Sequence, residues 1–494
     1  MEVTLHIHFA KQLRLLGRLW LRSGAGTESA SFEYADSWRA FPQAFAMDPS
    51  TPLTRGGFHT EKGRKVFAFL SDCMPDRWGR TILLRQERRR AMHTEESPKT
   101  LLEADFLLGV NDAARQGALR FSLPGARSAR PCGGQSVPSL HTLGRLLAAS
   151  TRLQTQRESD EDLLLLLDPG SSLGGARPKA AVLDARGTLW IAKFPAPQDE
   201  WDVPLWEYVS LSLAKESGLR VPAFRLEKVD QKNVLLVERF DRAGTERIPF
   251  ASAMTLLHFR DGDHGSYMEI AEIARRDGAR PETDVKELWG RMVFNAMTSN
   301  VDDHLRNHGF LRCPNGWRLS PVYDLESSPS PYKPQFQHTA VYPEKSALRL
   351  DEAFEEALAA SEEFGLSLNE ARSVMRRLLV AGEKWISVAR AARASKAEVE
   401  IMASAFRLKA PESAAAAHAP SLTFLPPGED QQAVHNATVA EQHDAPARKH
   451  GYIRPQPRQN GKLAGKQQGR AKRQPAQAVR NKACAVHGAF AARH

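Results

Sequence analysis

Asn300-Val301-Asp302-Asp303-His304-Leu305-Arg306-Asn307-His308-Gly309-Phe310-Leu311 carries most of the information in this chain. It runs into Pro314-Asn315-Gly316, then Trp317–Val322 and Tyr323-Asp324-Leu325. An Asn-Gly pair between two short apolar runs predicts a tight hairpin. The hairpin would return Asp324 to the loop that holds Asp302 and Asn307. Three groups that phosphoryl transfer requires then converge. Asp302 would orient and deprotonate an acceptor hydroxyl, while Asn307 and Asp324 would hold Mg2+ on nucleotide phosphates. An Asp and an Asn five residues apart mean nothing alone; the hairpin and the second Asp give the spacing its weight.

Working outward, three upstream elements stand in the order such a site needs. In Ser171-Ser172-Leu173-Gly174-Gly175-Ala176-Arg177-Pro178-Lys179 the glycines let backbone N–H groups approach phosphates, and Arg177 and Lys179 add charge. The spacing is not that of a Walker A loop, and a lone Gly-Gly with basic neighbours is usually just a turn. In Leu189-Trp190-Ile191-Ala192-Lys193 a strand would put Lys193 on the face of Leu189 and Ile191. A Lys projecting from an apolar face needs an anion, which ATP phosphates supply. Leu235-Leu236-Val237-Glu238-Arg239-Phe240 reads as a strand ending at a hinge whose backbone meets the adenine edge. A strand closing in a salt-bridged turn fits that stretch equally well. The joint occurrence of loop, Lys, hinge, Asp-x4-Asn, hairpin and Asp is what decides for a kinase order.

Further out, Val3, Leu5 and Ile7 alternate with polar residues and predict an opening strand. Helices are expected around Asp76–Arg89, over Leu101–Leu108, and over Trp206–Lys215 with Gly218 closing it. Strands are expected over Gly117–Phe121, Ala180–Leu183, Leu189–Phe194 and Val234–Phe240, and helices dominate from about residue 250 onward. Asp284-x-x-Glu287 and Ser367-x-x-Glu370 read as capping boxes. The fold class is α+β, arranged as a small β-rich subdomain (1–125), a connector (126–160), an N-lobe (161–245), a helical C-lobe (246–408) and a disordered basic tail (409–494).

Composition limits the classes. With 494 residues, 42% hydrophobic and 26% charged, the chain is globular rather than collagen-like, disulfide-stapled or wholly disordered. The formal charge is +10, but residues 448–494 hold 12 Lys+Arg and no acid, leaving 56 basic and 58 acidic side chains elsewhere. The tail is therefore either a solubilising extension or a nucleic-acid contact acting by counterion release. Cys73, Cys132, Cys313 and Cys484 lie far apart without metal spacing, which fits a reducing compartment. The longest purely apolar run, Leu163–Leu167, is too short to span a bilayer. Lys11, Arg14, Arg18 and Arg22 interrupt any signal-like run. A cytoplasmic location without membrane contact is expected.

Taken together, these residues resemble the HipA family of serine/threonine kinases, toxins of bacterial type II toxin–antitoxin pairs, over roughly residues 1–408. Met74-Pro75-Asp76-Arg77-Trp78-Gly79-Arg80 is similar to the family's "LPDxWGR" segment. Asp112-x-x-Arg115-Gln116-Gly117-Ala118-Leu119-Arg120-Phe121, Val237–Arg242, Asp302-x-His304-x-x-Asn307 and Tyr323-Asp324 also follow the family pattern. The resemblance implies a two-lobed protein-kinase-like fold, ATP and Mg2+ as cofactors, Asp302 as catalytic base, and Asn307 and Asp324 as metal ligands. It assigns ATP contacts to Gly174, Gly175, Ala176, Arg177, Pro178, Lys179, Lys193, Glu238, Arg239, Phe240, His304, Leu305, Arg306, Asn307, Tyr323 and Asp324, and inhibitory autophosphorylation to Ser172. It further implies a separate HipB-like helix-turn-helix antitoxin, through which the chain would associate with DNA, and a protein acceptor, in the family often an aminoacyl-tRNA synthetase. Arg177-Pro178-Lys179 departs from the Gln-Glu-Lys of a family member, Asp303 replaces a small residue, and the tail after 409 has no counterpart. Two other functions stay open here: a kinase for a small molecule or lipid headgroup, and a non-catalytic nucleotide-binding partner of a DNA-bound regulator.

Overall fold

From Glu2 to Phe9 the side chains alternate strictly, with Val3, Leu5, Ile7 and Phe9 buried, as a half-buried strand requires. The computed structural model describes residues 1–24, 26–124, 137–170, 175–330 and 335–411; Ser172, Gly174, Cys132, Cys484 and the basic tail from 412 lie outside them. The opening strand, β1 (Glu2–Phe9), belongs to an antiparallel sheet with β2 (Gln12–Gly24), β3 (Thr27–Tyr34), β4 (Gly57–His59) and β5 (Leu119–Ser122), in the order β4-β3-β2-β1-β5. Helices α1 (Asp36–Arg39), α2 (Ala68–Ser71), α3 (Arg77–Thr94) and α4 (Glu103–Gly109) complete this N-terminal module.

Next come α5 (Leu143–Gln154), which lies within the segment expected as a connector over 126–160, and α6 (Asp160–Gly170), which begins at its end. Leu143, Leu146, Leu147 and Leu153 fall at helical spacing and are buried, whereas the Pro/Gly/Ser-rich signal was confined to the beginning of that segment. The N-lobe sheet contains β6 (Lys179–Leu183), β7 (Leu189–Lys193), β8 (Phe224–Val229) and β9 (Lys232–Glu238), in the antiparallel order β6-β7-β9-β8. Strand β8 was not anticipated, because Arg225, Glu227 and Lys228 obscure any apolar period. Between β7 and β8 runs α7 (Val203–Glu216), capped by Asp202, with Pro204 in its first turn, and followed by Gly218 at φ +81°. One sheet face, with Ala180, Val182, Trp190, Ala192 and Leu236, packs on α5 and α6. Leu235 and Val237, on the other face, join Leu205 and Val209 of α7.

A small hairpin, β10 (Arg242–Ala243) and β11 (Glu246–Arg247), leads into the helical lobe. There β12 (Phe250–Ser252), β13 (Gly309–Cys313) and β14 (Gly316–Leu319) form a three-stranded sheet. Around it stand α8 (Ala253–Leu256), α9 (Tyr267–Asp277), α10 (Pro281–Met297), α11 (Ala353–Ala359), α12 (Leu368–Gly382), α13 (Trp385–Ala391) and α14 (Lys396–Met402). Ser367 and Glu370 form a reciprocal capping box at α12. Asp284 does not cap: α10 begins at Pro281, and Asp284 is buried inside it, accepting from Arg318 (2.9 Å) and Arg220 (3.0 Å). Among the described residues no helix is long and apolar enough to cross a membrane. The architecture is a β-rich module joined to a two-lobed, kinase-like body.

Candidate active site

Beyond α10 the chain turns sharply, with Ser299 at φ +48°, into the loop that carries Asp302. Asn300 Nδ2 donates to Asn295 Oδ1 (3.1 Å), and Ser328 N donates to Ser299 O (3.1 Å), which fastens the loop's start. Asp303 is buried. Its Oδ1 bonds His308 Nε2 (2.6 Å), and its Oδ2 accepts from Tyr267 Oη (2.5 Å) and Gln337 Nε2 (2.7 Å). The Thr339 hydroxyl donates to its carbonyl. A carboxylate withdrawn from water needs this many partners. The family departure at position 303 is thus an anchor beneath the loop, while Asp302 beside it keeps 64% of its side chain exposed.

One 3-10 turn, Leu305–Asn307, brings Asn307 back, so that its Nδ2 donates to Asp302 O (2.8 Å) and its Oδ1 is left as an acceptor. The hairpin pairs Cys313 with Gly316, whose φ of +150° and close backbone neighbours admit no side chain: a Cβ would lie 2.6 Å from Ala279 N. After the hairpin, Val322 N donates to Arg220 O (2.8 Å) and Tyr323 Oη to Arg306 O (2.6 Å). Asp324 sits at φ +52°, a left-handed conformation that Asp tolerates better than most residues. Its Oδ1 accepts from Lys193 Nζ, at the end of β7. Lys193 also donates to Glu207 Oε1 (2.5 Å) on α7.

Sequence reasoning missed Glu207. The available signal was the single charged residue in the stretch Val203–Ala214, fourteen residues after Lys193. At Lys193 burial favours the neutral amine, but Asp324 and Glu207 outweigh it and raise the pKa above the ordinary Lys value. At Glu207 burial wins and raises the carboxyl; at Asp324 Lys193 and Lys179 overcome burial and lower it. Partial loss of water around its carboxyl, with His304 opposing and Asp324 adding, raises Asp302, a direction that suits a proton acceptor.

The described candidate residues, apart from Pro178 and Leu305, line one cleft of about 1270 Å3. Pro178 is buried, its carbonyl accepting from Phe194 N, and Leu305 is 1% exposed and packed against Gly265. Their side chains belong to the packing and not to the cleft surface. Some lining residues are already engaged: Arg177 with Asp199 (2.5 Å), Arg306 with Asp261 (2.8 Å). The Arg239 guanidinium is buried on Asp241 and on Ala114 O (3.0 Å). Glu238 N and Arg239 N donate to Ala223 O and Leu189 O, so an adenine read at this hinge would meet the Phe240 amide or the carbonyls. Phe240 lies tilted against Tyr323, ring centroids 5.4 Å apart. Among the described residues no three His, Cys, Asp or Glu side chains could cage a metal by themselves. One carboxylate and one carboxamide, Asp324 and Asn307, suit a Mg2+ that takes its other ligands from phosphates and water.

Comparison with known proteins follows the same lines. The HipA N-terminal domain family matches residues 7–104, and the HipA-like C-terminal domain family matches residues 171–386. The putative kinase Y4dM of Sinorhizobium fredii is 26% identical over 323 residues, 57% of this chain and 75% of that protein. The serine/threonine-protein kinase toxin HipA of Shewanella oneidensis is 24% identical over 193 residues, 32% of this chain and 43% of that protein. A chain of the Shewanella oneidensis MR-1 toxin–antitoxin complex of HipA, HipB and operator DNA superposes with a TM-score of 0.57 at 18% identity, covering 81% of this chain and 95% of its own. That last likeness is one of fold.

Proposed function

The chain belongs to the HipA family of kinases, and from that premise we propose that it is an ATP- and Mg2+-dependent serine/threonine protein kinase, the toxin of a type II toxin–antitoxin pair. The observation that carries the reading is the convergence of Asp302, Asn307, Asp324 and the Lys193–Glu207 pair in one cleft. In this reading Asp302 orients the acceptor hydroxyl and takes its proton. Asn307 and Asp324 offer the oxygen donors for Mg2+, which when bound neutralises charge on the phosphate oxygens. Lys193, held by Glu207, turns an ammonium toward the phosphates. Phosphoryl transfer needs little covalent help, so positioning and charge are what these residues supply. Ser172, beyond the described residues, is the proposed site of inhibitory self-phosphorylation. The partner would be a HipB-like helix-turn-helix protein that brings the chain to DNA in the cytoplasm, a reading supported by the assembly of the Shewanella relative.

Purified protein with γ-labelled ATP, Mg2+ and lysate should place label on serine or threonine of a protein. Asp302→Ala should lower the rate by roughly 10²–10⁴ while the circular dichroism spectrum stays unchanged. Label confined to a low-mass or organic-soluble fraction would overturn the acceptor class, and no transfer at all would overturn the kinase reading.

A further inference from the structure

We infer that Asp76, contributed by the N-terminal module, is a positioning residue of the nucleotide site that holds the Lys179 ammonium beside the Gly175 turn. The inference rests on the nucleotide reading of the cleft. Asp76 precedes α3 and caps it, its Oδ1 accepting from Gly79 N at 2.8 Å. Capping occupies one oxygen. The other, Oδ2, is buried and accepts no hydrogen bond; what faces it is Lys179 Nζ at 3.7 Å. A carboxylate oxygen stripped of water is costly unless a charge answers it, so the pairing with Lys179 is what makes this placement tolerable.

Two further contacts give the pair a direction. Trp78 donates its Nε1 to the Lys179 carbonyl at 2.9 Å, so the start of α3 grips Lys179 at both backbone and ammonium. On its far side the ammonium lies against the glycine turn: Gly175 has φ +91°, and a Cβ there would come 2.8 Å from Lys179 Nζ. The Lys179 side chain is only 6% exposed, unlike a solvated surface lysine. Its charge also reaches Asp324, the carboxylate offered to the cation. Without Asp76 the ammonium would be drawn toward Asp324, neutralising a metal ligand and leaving the glycine turn without its cation. The N-terminal module therefore completes the phosphate end of the cleft.

The competing account is that Asp76 merely caps α3. Asn and Ser cap a helix about as well as Asp, so Asp76→Asn and Asp76→Ser remove the charge and keep the cap. Calorimetric titration of the full chain with MgATP should show Kd raised about 10-fold in both variants, with melting temperatures close to wild type. In a Lys179→Met background the same substitutions should add nothing, because Asp76 acts through that lysine. Wild-type affinity in both variants, or effects that add fully to Lys179→Met, would overturn the inference and leave the kinase reading standing. Unfolding of both variants would also overturn it, making Asp76 a purely structural ion-pair residue. Wild-type protein that binds no ATP would instead bring down the reading of the cleft itself.

Discussion

Lys193 sets one ammonium against two carboxylates, Glu207 and Asp324, with 15% of its side chain exposed. If the cation is removed, two withdrawn acids face each other; if Glu207 is removed, Lys193 still has Asp324. Lys193→Met should therefore cost more stability in urea than Glu207→Gln, roughly 3 kcal/mol against about 1. Equal costs would mean that Glu207, not Lys193, is the centre of the cluster. Asp76 adds a dependence on pH. Burial, reinforced by Asp324 and opposed by Lys179 and the amides of Gly79 and Trp78, lifts its carboxyl from 3.8 to about 6. The folded value lies above the unfolded one, so this group's contribution to stability is fully present below pH 3.8 and is lost as pH rises through about 6. ATP affinity should run the other way. Protonation below about pH 6 releases Lys179, so Kd should climb on the acid side while this group leaves the fold intact. Titrations between pH 5 and 8 should show that limb in wild type and not in Asp76→Asn.

At the scale of the element, the loop that carries Asp302 depends on what lies beneath it. Tyr267 Oη donates to Asp303 and accepts from Asn295 Nδ2 and Gln337 Nε2, both at 3.0 Å. Tyr267→Phe takes this acceptor from buried Asn295 Nδ2 and one donor from Asp303, while Gln337 keeps its bond to Asp303, and should cost about 1–3 kcal/mol in urea. It should also lower kcat with little change in ATP affinity, since it loosens the loop under Asp302 and not the phosphate end of the cleft; a change in ATP affinity alone would refute that division. At the hairpin, Gly316→Ala drives a Cβ into Asp277 O and Ala279 N, and a fall in melting temperature of several degrees should follow. The sequence displayed those parts of the site whose cause is local. The Asn-Gly turn, the five-residue spacing of Asp302 and Asn307, and the two-residue period that turns Lys193 with Leu189 are short-range facts. It hid the parts whose partners are distant. Glu207 acquires meaning from a strand fourteen residues earlier. Asp284 imitated a helix cap because its real partners, Arg220 and Arg318, come from other elements. Within Leu305–Asn307, spacing alone did not say that Leu305 turns inward to Gly265 while Asn307 faces the loop.

For the whole molecule, the apolar packing is continuous across residues 125 and 245. One continuous apolar core runs from Val3 and Phe121 of the first sheet through Leu235, Phe310 and Trp317 to Phe406. The Phe45 ring meets Trp317 edge-on at 5.7 Å, with the Arg312 guanidinium 4.8 Å above it. Polar contacts run alongside. Asp72 accepts from Ser252 N (2.7 Å) and Ser252 Oγ (2.8 Å), and Asp241 Oδ2 accepts from Gly117 N (2.7 Å) while Arg242 donates to Arg115 O (2.6 Å). Burial opposes ionisation of Asp241, yet Arg239 and Arg242 hold its carboxyl well below the usual range, so the clasp stays charged at neutral pH. Within the stretch Val237–Arg242, Arg239, Asp241 and Arg242 thus form a joint to the N-terminal module. A chain that starts at residue 137 would expose Trp317 and Phe250 to water and leave Arg239 and Arg242 without Ala114, Arg115 and Gly117. The module and both lobes should therefore unfold together, in a single calorimetric transition whose enthalpy matches its van't Hoff value. A chain lacking the first 136 residues should be insoluble or molten and should not bind MgATP. Two resolved transitions in the full chain, or a cooperatively melting fragment that retains nucleotide, would show that the kinase body folds by itself and that the module is an attachment and not a wall of the cleft.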